Sequence, residues 1–151
     1  MSKPLLRHGI WYAVCDSQHA LLLENEGDVQ YPKLETRDYF KQDNPPTHEQ
    51  GSAPPGRVFS SADGHRAATV ESDFHQQQAE SFLQNFAELL GQRVQEGRIR
   101  SLVLVAPARA LGILRSHLSE AARRIVMAEI DHDYVKMPLY EIERRLAALQ
   151  R

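Results

Sequence analysis

The sequence lacks the residues and runs that would assign it to several common protein classes. It has one cysteine, Cys15, so it can form neither an internal disulfide nor a Cys-x-x-Cys pair for zinc or redox chemistry. Its longest purely apolar stretch, residues 102–107, has the length of a strand rather than of a membrane span. The first residues lack the apolar core of a signal peptide. We therefore expect a cytoplasmic protein with no membrane association, in which Cys15 is a buried strand residue.

The sequence also lacks an excess of positive charge. Lysine and arginine number 18 against 20 aspartate and glutamate residues, and the formal net charge is −2 at pH 7. Any binding of nucleic acid would therefore depend on a local basic patch. The length of 151 residues and the 42% hydrophobic content are typical of one globular domain, which we expect to span residues 1–151.

Motifs that mark common enzymes are absent as well. The chain contains no Gly-x-Ser-x-Gly, no phosphate-binding glycine motif and no His-x-x-x-His spacing, so we expect no cofactor and no metal. A two-metal nuclease needs several carboxylates on separate elements. Asp16 and Glu80 are candidates, but the strand that should supply another carboxylate ends in Val105-Ala106-Pro107. The sequence therefore favours a protein that is not an enzyme.

Hydrophobic periodicity predicts an α/β domain. Short runs at 10–15, 21–24 and 29–35 predict a three-stranded antiparallel meander, in which Pro32 places the third strand at an edge. Residues 37–72 lose all periodicity and predict a long loop. A helix is predicted over 73–96, with Asp73 as its N-terminal cap and Gly97 at its end.

The second half of the chain alternates strands and helices. The pattern predicts a buried strand at 101–106, a short helix at 111–118, a strand at 125–130 and a final helix after Pro138. Helical crossovers require parallel pairing, so the meander is followed by helix, strand, helix, strand and helix in one mixed five-stranded sheet. This order predicts a ribonuclease H-like fold.

Cationic side chains form the clearest candidate site. Arg57, His65 and Arg66 lie in the predicted loop, His75 lies near the start of the long helix, and Arg109 follows the buried fourth strand. Ligands of open α/β sheets favour the carboxyl ends of strands, and the planar guanidinium suits phosphate oxygens. The sequence therefore predicts an anion site at these residues, suited to an RNA backbone.

Several segments together resemble the bacterial host attachment protein family: 11–16, 43–51, 55–61, 73–75, 102–107, 111–115 and 129–133. The resemblance runs from about Leu6 to Leu149. That family is similar to the middle domain of archaeal and eukaryotic peptide release factors. The similarity implies the same ribonuclease H-like arrangement and a partner in translation, either the ribosome or RNA.

The resemblance does not extend to the residues that release factors use for catalysis. Their Gly-Gly-Gln loop precedes the long helix, where this chain has Glu49-Gln50-Gly51 and no Gly-Gly-Gln. The segment 131–138 also departs from the family's usual Asp-Lys-Asp-Leu-Thr-Lys-His-Pro. We therefore expect a non-catalytic RNA- or ribosome-associated domain.

Two alternatives come from other functional classes. One is a hydrolase of an aminoacyl or phosphate ester, with His65 or His75 as general base. The other is a protein-interaction module that affects attachment to host cells, including a homo-oligomer formed through an edge strand.

Overall fold

A computed structural model describes residues 4–42 and 61–150, of which residues 61–73 are described by their backbone alone. Within these residues five strands and four helices follow one another: β1 (Trp11–Cys15), β2 (His19–Asn25), β3 (Leu34–Lys41), α1 (Ser61–Gln95), β4 (Leu102–Ala106), α2 (Ala108–His117), α3 (Glu120–Ile125), β5 (Val126–Asp131) and α4 (Leu139–Leu149).

The strands form one mixed sheet in the order β3-β2-β1-β4-β5. β2 pairs antiparallel with β1 and β3, whereas β4 pairs parallel with β1 and β5. The parallel pairs are joined through helices, as parallel pairing requires. The predicted meander, the crossovers and the mixed five-stranded sheet are confirmed. The assignment of this arrangement to the ribonuclease H-like fold stays a prediction.

The core lies on both faces of the sheet, which is why β1 and β4 are buried along their whole lengths. Alternate residues of β1 face opposite sides: Trp11 and Ala13 pack with α1, α2 and α3, whereas Tyr12 and Val14 pack with α4 and the N-terminal segment. Burial on two faces explains the continuous apolar runs of these strands. Within the described residues, no helix is long and apolar enough to span a membrane.

The third strand is an edge strand, as predicted, but it begins later in the chain. A turn occupies the residues around Pro32: the Glu26 N–H donates to the Lys33 carbonyl over 2.9 Å, and the Tyr31 N–H donates to the Asp28 carboxylate over 2.7 Å. A Cβ at Gly27 would overlap the Tyr31 carbonyl oxygen. The predicted strand 29–35 was therefore wrong in its bounds, because Pro32 belongs to the turn.

The predicted loop at 37–72 was also wrong in its bounds. Residues 37–41 belong to β3 and residues 61–72 to α1, while 43–60 lie outside the described residues. β3 is anchored to α1 by an ion pair between Asp38 and Arg93, with N···O at 2.9 Å. Asp73 lies inside the helix and does not cap it. The early helix was missed because Ser61–Val70 has few large apolar residues to set a period.

The end of α1 is as predicted. Gly97 has a φ of +82°, and its N–H donates to the Val94 carbonyl over 3.0 Å. The Arg98 N–H donates to the Arg93 carbonyl over 3.0 Å, which completes a Schellman motif. The short helix α3 was not predicted, although Ser119 caps it by accepting the Ala122 N–H over 3.2 Å.

Candidate functional site

A cleft of about 570 Å³ lies at the carboxyl ends of β1 and β4. Its walls come from the β1–β2 turn, from α1, from the start of α2 and from the loop after β5. From β1 the chain continues to β2 and β3 on one side of β1, and it then crosses to β4 on the opposite side. The cleft therefore lies where the strand order reverses. Open α/β sheets bind ligands in such crevices. The lining residues are Asp16, Ser17, His75, Gln76, Ala79, Leu83, Pro107, Arg109, Ala110, Ile113 and Asp133.

Arg109 is the cation of this cleft and lies in the first turn of α2, where it is exposed. Its guanidinium forms no hydrogen bond or ion pair with any described residue. Arg115 on the same helix, by contrast, is paired with Glu129, whose Oε1 accepts from its Nε and Nη2 over 2.9 and 2.5 Å. An unpaired arginine keeps all its donors available for an anion.

The backbone around Arg109 adds to the positive potential. Pro107 precedes α2, no side chain caps its first turn, and no acidic residue lies in that turn. The first N–H groups of a helix have no partner within the helix and carry a partial positive charge. The helix begins here because Pro107 fixes its own φ and cannot continue the preceding strand.

His75 reaches the cleft from α1, with its side chain exposed. Its ring meets the ring of Phe74 edge to face, with centroids 6.0 Å apart and planes at 64°. Phe74 does not line the cleft, so this pair lies across the ridge formed by α1. His75 and Arg109 therefore bring two candidate donors to one concavity from separate elements.

Of the two carboxylates that were candidates for a nuclease site, Asp16 fixes a turn and Glu80 lies outside the cleft. Asp16 Oδ1 accepts the N–H groups of Gln18 and His19, over 2.8 and 2.6 Å, and so fixes the β1–β2 turn. Glu80 lies on α1 with its Oε1 3.3 Å from His117 Nε2, and it does not line the cleft. In the described part of the chain, no three His, Cys, Asp or Glu side chains are arranged to hold a metal ion.

Cys15 lies directly before Asp16, at the end of β1, and is buried as predicted. Burial, together with the smaller effect of the neighbouring Asp16 charge, raises the pKa of its thiol to about 12. The thiol is therefore protonated at neutral pH and is not a nucleophile.

The structure brings two of the five predicted site residues, His75 and Arg109, to the same cleft. His65 and Arg66 lie on α1, about two to three turns before His75, and their side chains are outside the described set. Arg57 lies outside the described residues. That the five act as one anion site stays a prediction.

Sequence reasoning missed Asp133, an exposed carboxylate that also lines the cleft. It follows β5, which is parallel to β4. The rule that selected Arg109, applied to the next parallel strand, would have found it.

Comparison with known proteins supports the release-factor-like interpretation. The chain is similar in fold to the crystal structure of the archaeal translation termination factor aRF1, with a TM-score of 0.50 and 10% sequence identity. The match covers 93% of this chain and 37% of that chain, so this chain spans well under half of that protein's length. At this identity the likeness shows the fold alone. No curated protein sequence matches the chain.

A model of one protein family, described as bacterial archaeo-eukaryotic release factor family 12, matches residues 10–146. It confirms the release-factor-like part of the predicted resemblance, while the host attachment assignment stays a prediction. Because the match covers most of this chain, the chain belongs to bacterial archaeo-eukaryotic release factor family 12.

Proposed function

We propose that the protein is a non-catalytic, cytoplasmic RNA-binding domain that associates with the ribosome or its RNA, and that the cleft at Arg109 holds an RNA phosphate. The observation that carries this proposal is the guanidinium of Arg109, which has no partner among the described residues and lies in the uncapped first turn of α2. Guanidinium and helix N–H donors together suit a phosphate oxygen.

Membership in a release factor family supports the place in translation. The fold supports it too, because the likeness to aRF1 extends over 93% of this chain. We interpret the shared architecture as ribonuclease H-like and as a single domain over residues 1–151. Arg57, His65 and Arg66 would extend the cationic surface beyond Arg109 and His75.

The chemistry of the chain favours binding over catalysis. The sequence has no Gly-Gly-Gln. The Cys15 thiol is buried and protonated. One observation favours a second candidate: His75 is exposed in the cleft, where it could act as the general base of an ester hydrolase. That candidate requires turnover of an aminoacyl or phosphate ester, and His75→Ala would abolish the turnover while leaving the fold intact.

An effect on attachment to host cells would then be indirect. A domain that binds RNA or ribosomes changes attachment through the proteins that the cell makes. If the protein is instead an interaction module that forms homo-oligomers, its mass in solution should depend on its concentration.

The test is RNA binding by two matched arginine variants. Arg109→Gln removes the cation of the cleft, and Arg100→Gln removes an exposed arginine that lies before β4, at the opposite end of that strand. A labelled single-stranded RNA is titrated over a range of salt concentrations. Arg109→Gln should weaken binding and lower the slope of log K against log salt by about 0.7, because one phosphate contact is lost. Arg100→Gln should change little.

Asp133→Asn supplies the opposite perturbation, since it removes a negative charge from the same cleft. It should strengthen binding at low salt. Equal losses for both arginine variants would mean that diffuse charge attracts the RNA and that the cleft is not the site. Absence of RNA and ribosomes from the protein captured at low salt, together with no binding in the titration, would overturn the proposal.

A further inference from the structure

A second concavity lies on the other flank of α1, with a volume of about 410 Å³. This volume is within the range of about 300–1,000 Å³ that is usual for small-molecule sites. We call it the amide groove, and its lining residues are Gln42, Phe74, Gln77, Gln78, Ser81, Phe82 and Asn85. Six of the seven share one face of α1, at helical spacing, and the seventh, Gln42, directly follows β3.

Among the described residues, no charged side chain lines the groove, so this part of its lining is neutral. Gln77 and Asn85 are exposed, and each amide offers both donors and acceptors. Phe74 is 42% exposed, so part of its ring is accessible from the groove. Phe82, two turns further along α1, is partly buried and packs against the core, so the floor of the groove is held in place.

These groups match the two features by which proteins hold an unpaired nucleobase. Aromatic rings stack on the flat face of the base, and side chains hydrogen-bond to its edge. Amide side chains suit base edges because they present a donor beside an acceptor. A phosphate, by contrast, would find no cation among the described lining residues, and an acidic or basic peptide would find no opposite charge there.

The amide groove is connected to the cleft of Arg109 through one aromatic pair. Phe74 lines the groove and His75 lines the cleft, and their rings are in edge-to-face contact with centroids 6.0 Å apart. The two concavities therefore flank the same ridge of α1. A strand that crosses this ridge can place a phosphate on one side and a base on the other.

We propose that the amide groove holds an unpaired base of the RNA strand whose phosphate contacts Arg109, with Phe74 as its stacking platform. The inference rests on the proposed function, since it assumes that RNA occupies the cleft. It adds what the cleft lacks, which is contact with the base.

The test compares two probes on the unchanged protein and four variants. One probe is a short single-stranded RNA, and the other is a ribose-phosphate chain of equal length with no bases. The variants are Phe74→Ala, Phe74→Tyr, Arg109→Gln, and Tyr140→Ala as a control, because Tyr140 is an aromatic residue that is 67% exposed on α4. α4 covers the other face of the sheet.

We expect the unchanged protein to bind the RNA more tightly than the base-free chain. Phe74→Ala should weaken RNA binding about tenfold and leave binding of the base-free chain unaltered, because stacking on one base is lost. Phe74→Tyr should restore the binding, and Tyr140→Ala should bind both probes as the unchanged protein does. Thermal unfolding of each variant checks that its fold is intact.

Two failures can be told apart. If both probes bind equally and Phe74→Ala changes nothing, while Arg109→Gln still weakens binding, then the amide groove does not hold a base and the proposed function stands. If neither probe binds, both are wrong. Loss of a protein partner from Phe74→Ala, with RNA binding unchanged, would also overturn the inference and make the groove a protein-docking surface.

Discussion

Asn25 should be one of the positions where a single substitution costs the most stability. It is the buried polar residue at the end of β2, and its side chain is 0% exposed. Its Nδ2 donates to the carbonyls of Leu6 and Arg7, over 2.6 and 3.3 Å. Its Oδ1 accepts the N–H groups of Gly27 and Lys33, each over 2.9 Å. One amide thus joins the N-terminal segment to the turn that leads into β3.

The cost of Asn25→Ala follows from these four bonds. Each hydrogen bond contributes about 0.5–1.5 kcal/mol net, and the 3.3 Å bond is at the weak end. The loss is therefore about 3–4 kcal/mol, against a typical total of roughly 5–15 kcal/mol. For a chain of this size each kcal/mol lowers the melting temperature by about 2–4 °C, so the expected shift is roughly 10 °C.

Urea and thermal unfolding followed by circular dichroism measure this change. Asn85→Ala is the matched control, because Asn85 is exposed on α1 and should shift stability by less than about 0.5 kcal/mol. RNA binding by folded Asn25→Ala should be unchanged, since Asn25 lies beside the amino end of β1 and the cleft lies at its carboxyl end. A cost below about 1 kcal/mol would refute the view that this amide holds the turn in place.

Two further predictions concern backbone conformation and pH. Gly97→Ala should cost about 1–2 kcal/mol because φ is +82° there, whereas Gly112→Ala inside α2 should stabilise by about 0.5–1 kcal/mol because a Cβ meets nothing within 4 Å; equal effects in urea unfolding would contradict this. The pKa of Cys15 is raised to about 12 by burial, against about 8.5 in an unfolded chain. The stabilisation that comes from keeping the buried thiol neutral is therefore fully present below about pH 8.5. Above that pH, the free energy of unfolding falls by about 1.4 kcal/mol per pH unit as the pH rises toward 12. Cys15→Ala should reduce the loss of stability between pH 8 and pH 10 by about 2 kcal/mol, and an unchanged pH profile would show that the thiol is accessible in the folded state.

The sheet could be predicted from the sequence because the apolar runs of two central strands, β1 and β4, clearly indicate buried strands. β1 and β4 are continuous apolar runs, and the turns and helices between them restrict how the strands can pair. β3 was misplaced because Leu34–Lys41 has charges at Glu35, Arg37, Asp38 and Lys41. Only Leu34 in it is buried, so alternation gives a weak signal at such an edge.

The candidate site was predicted in part for the same kind of reason. Arg109 and His75 were selected by position, one at the end of a buried strand and the other on the long helix. The amide groove was missed because glutamine and asparagine on a helix have the pattern of an ordinary solvated face. Only the three-dimensional structure shows that Gln42 lies across from Gln77 and Asn85 and closes a concavity.

The charges of the cleft explain why base contacts matter for the proposed function. Arg109 shares the cleft with Asp16 and Asp133, and the whole chain carries a net charge of −2. A protein that relies on phosphate contacts alone needs many of them, and each adds about 0.7 to its salt dependence on a single strand. Among the described residues of the cleft, one arginine and a helix terminus supply few such contacts. Neutral contacts would therefore have to add to the affinity for RNA, and Phe74 and its neighbouring amides can make them with unpaired bases but not with a closed duplex, whose bases are stacked.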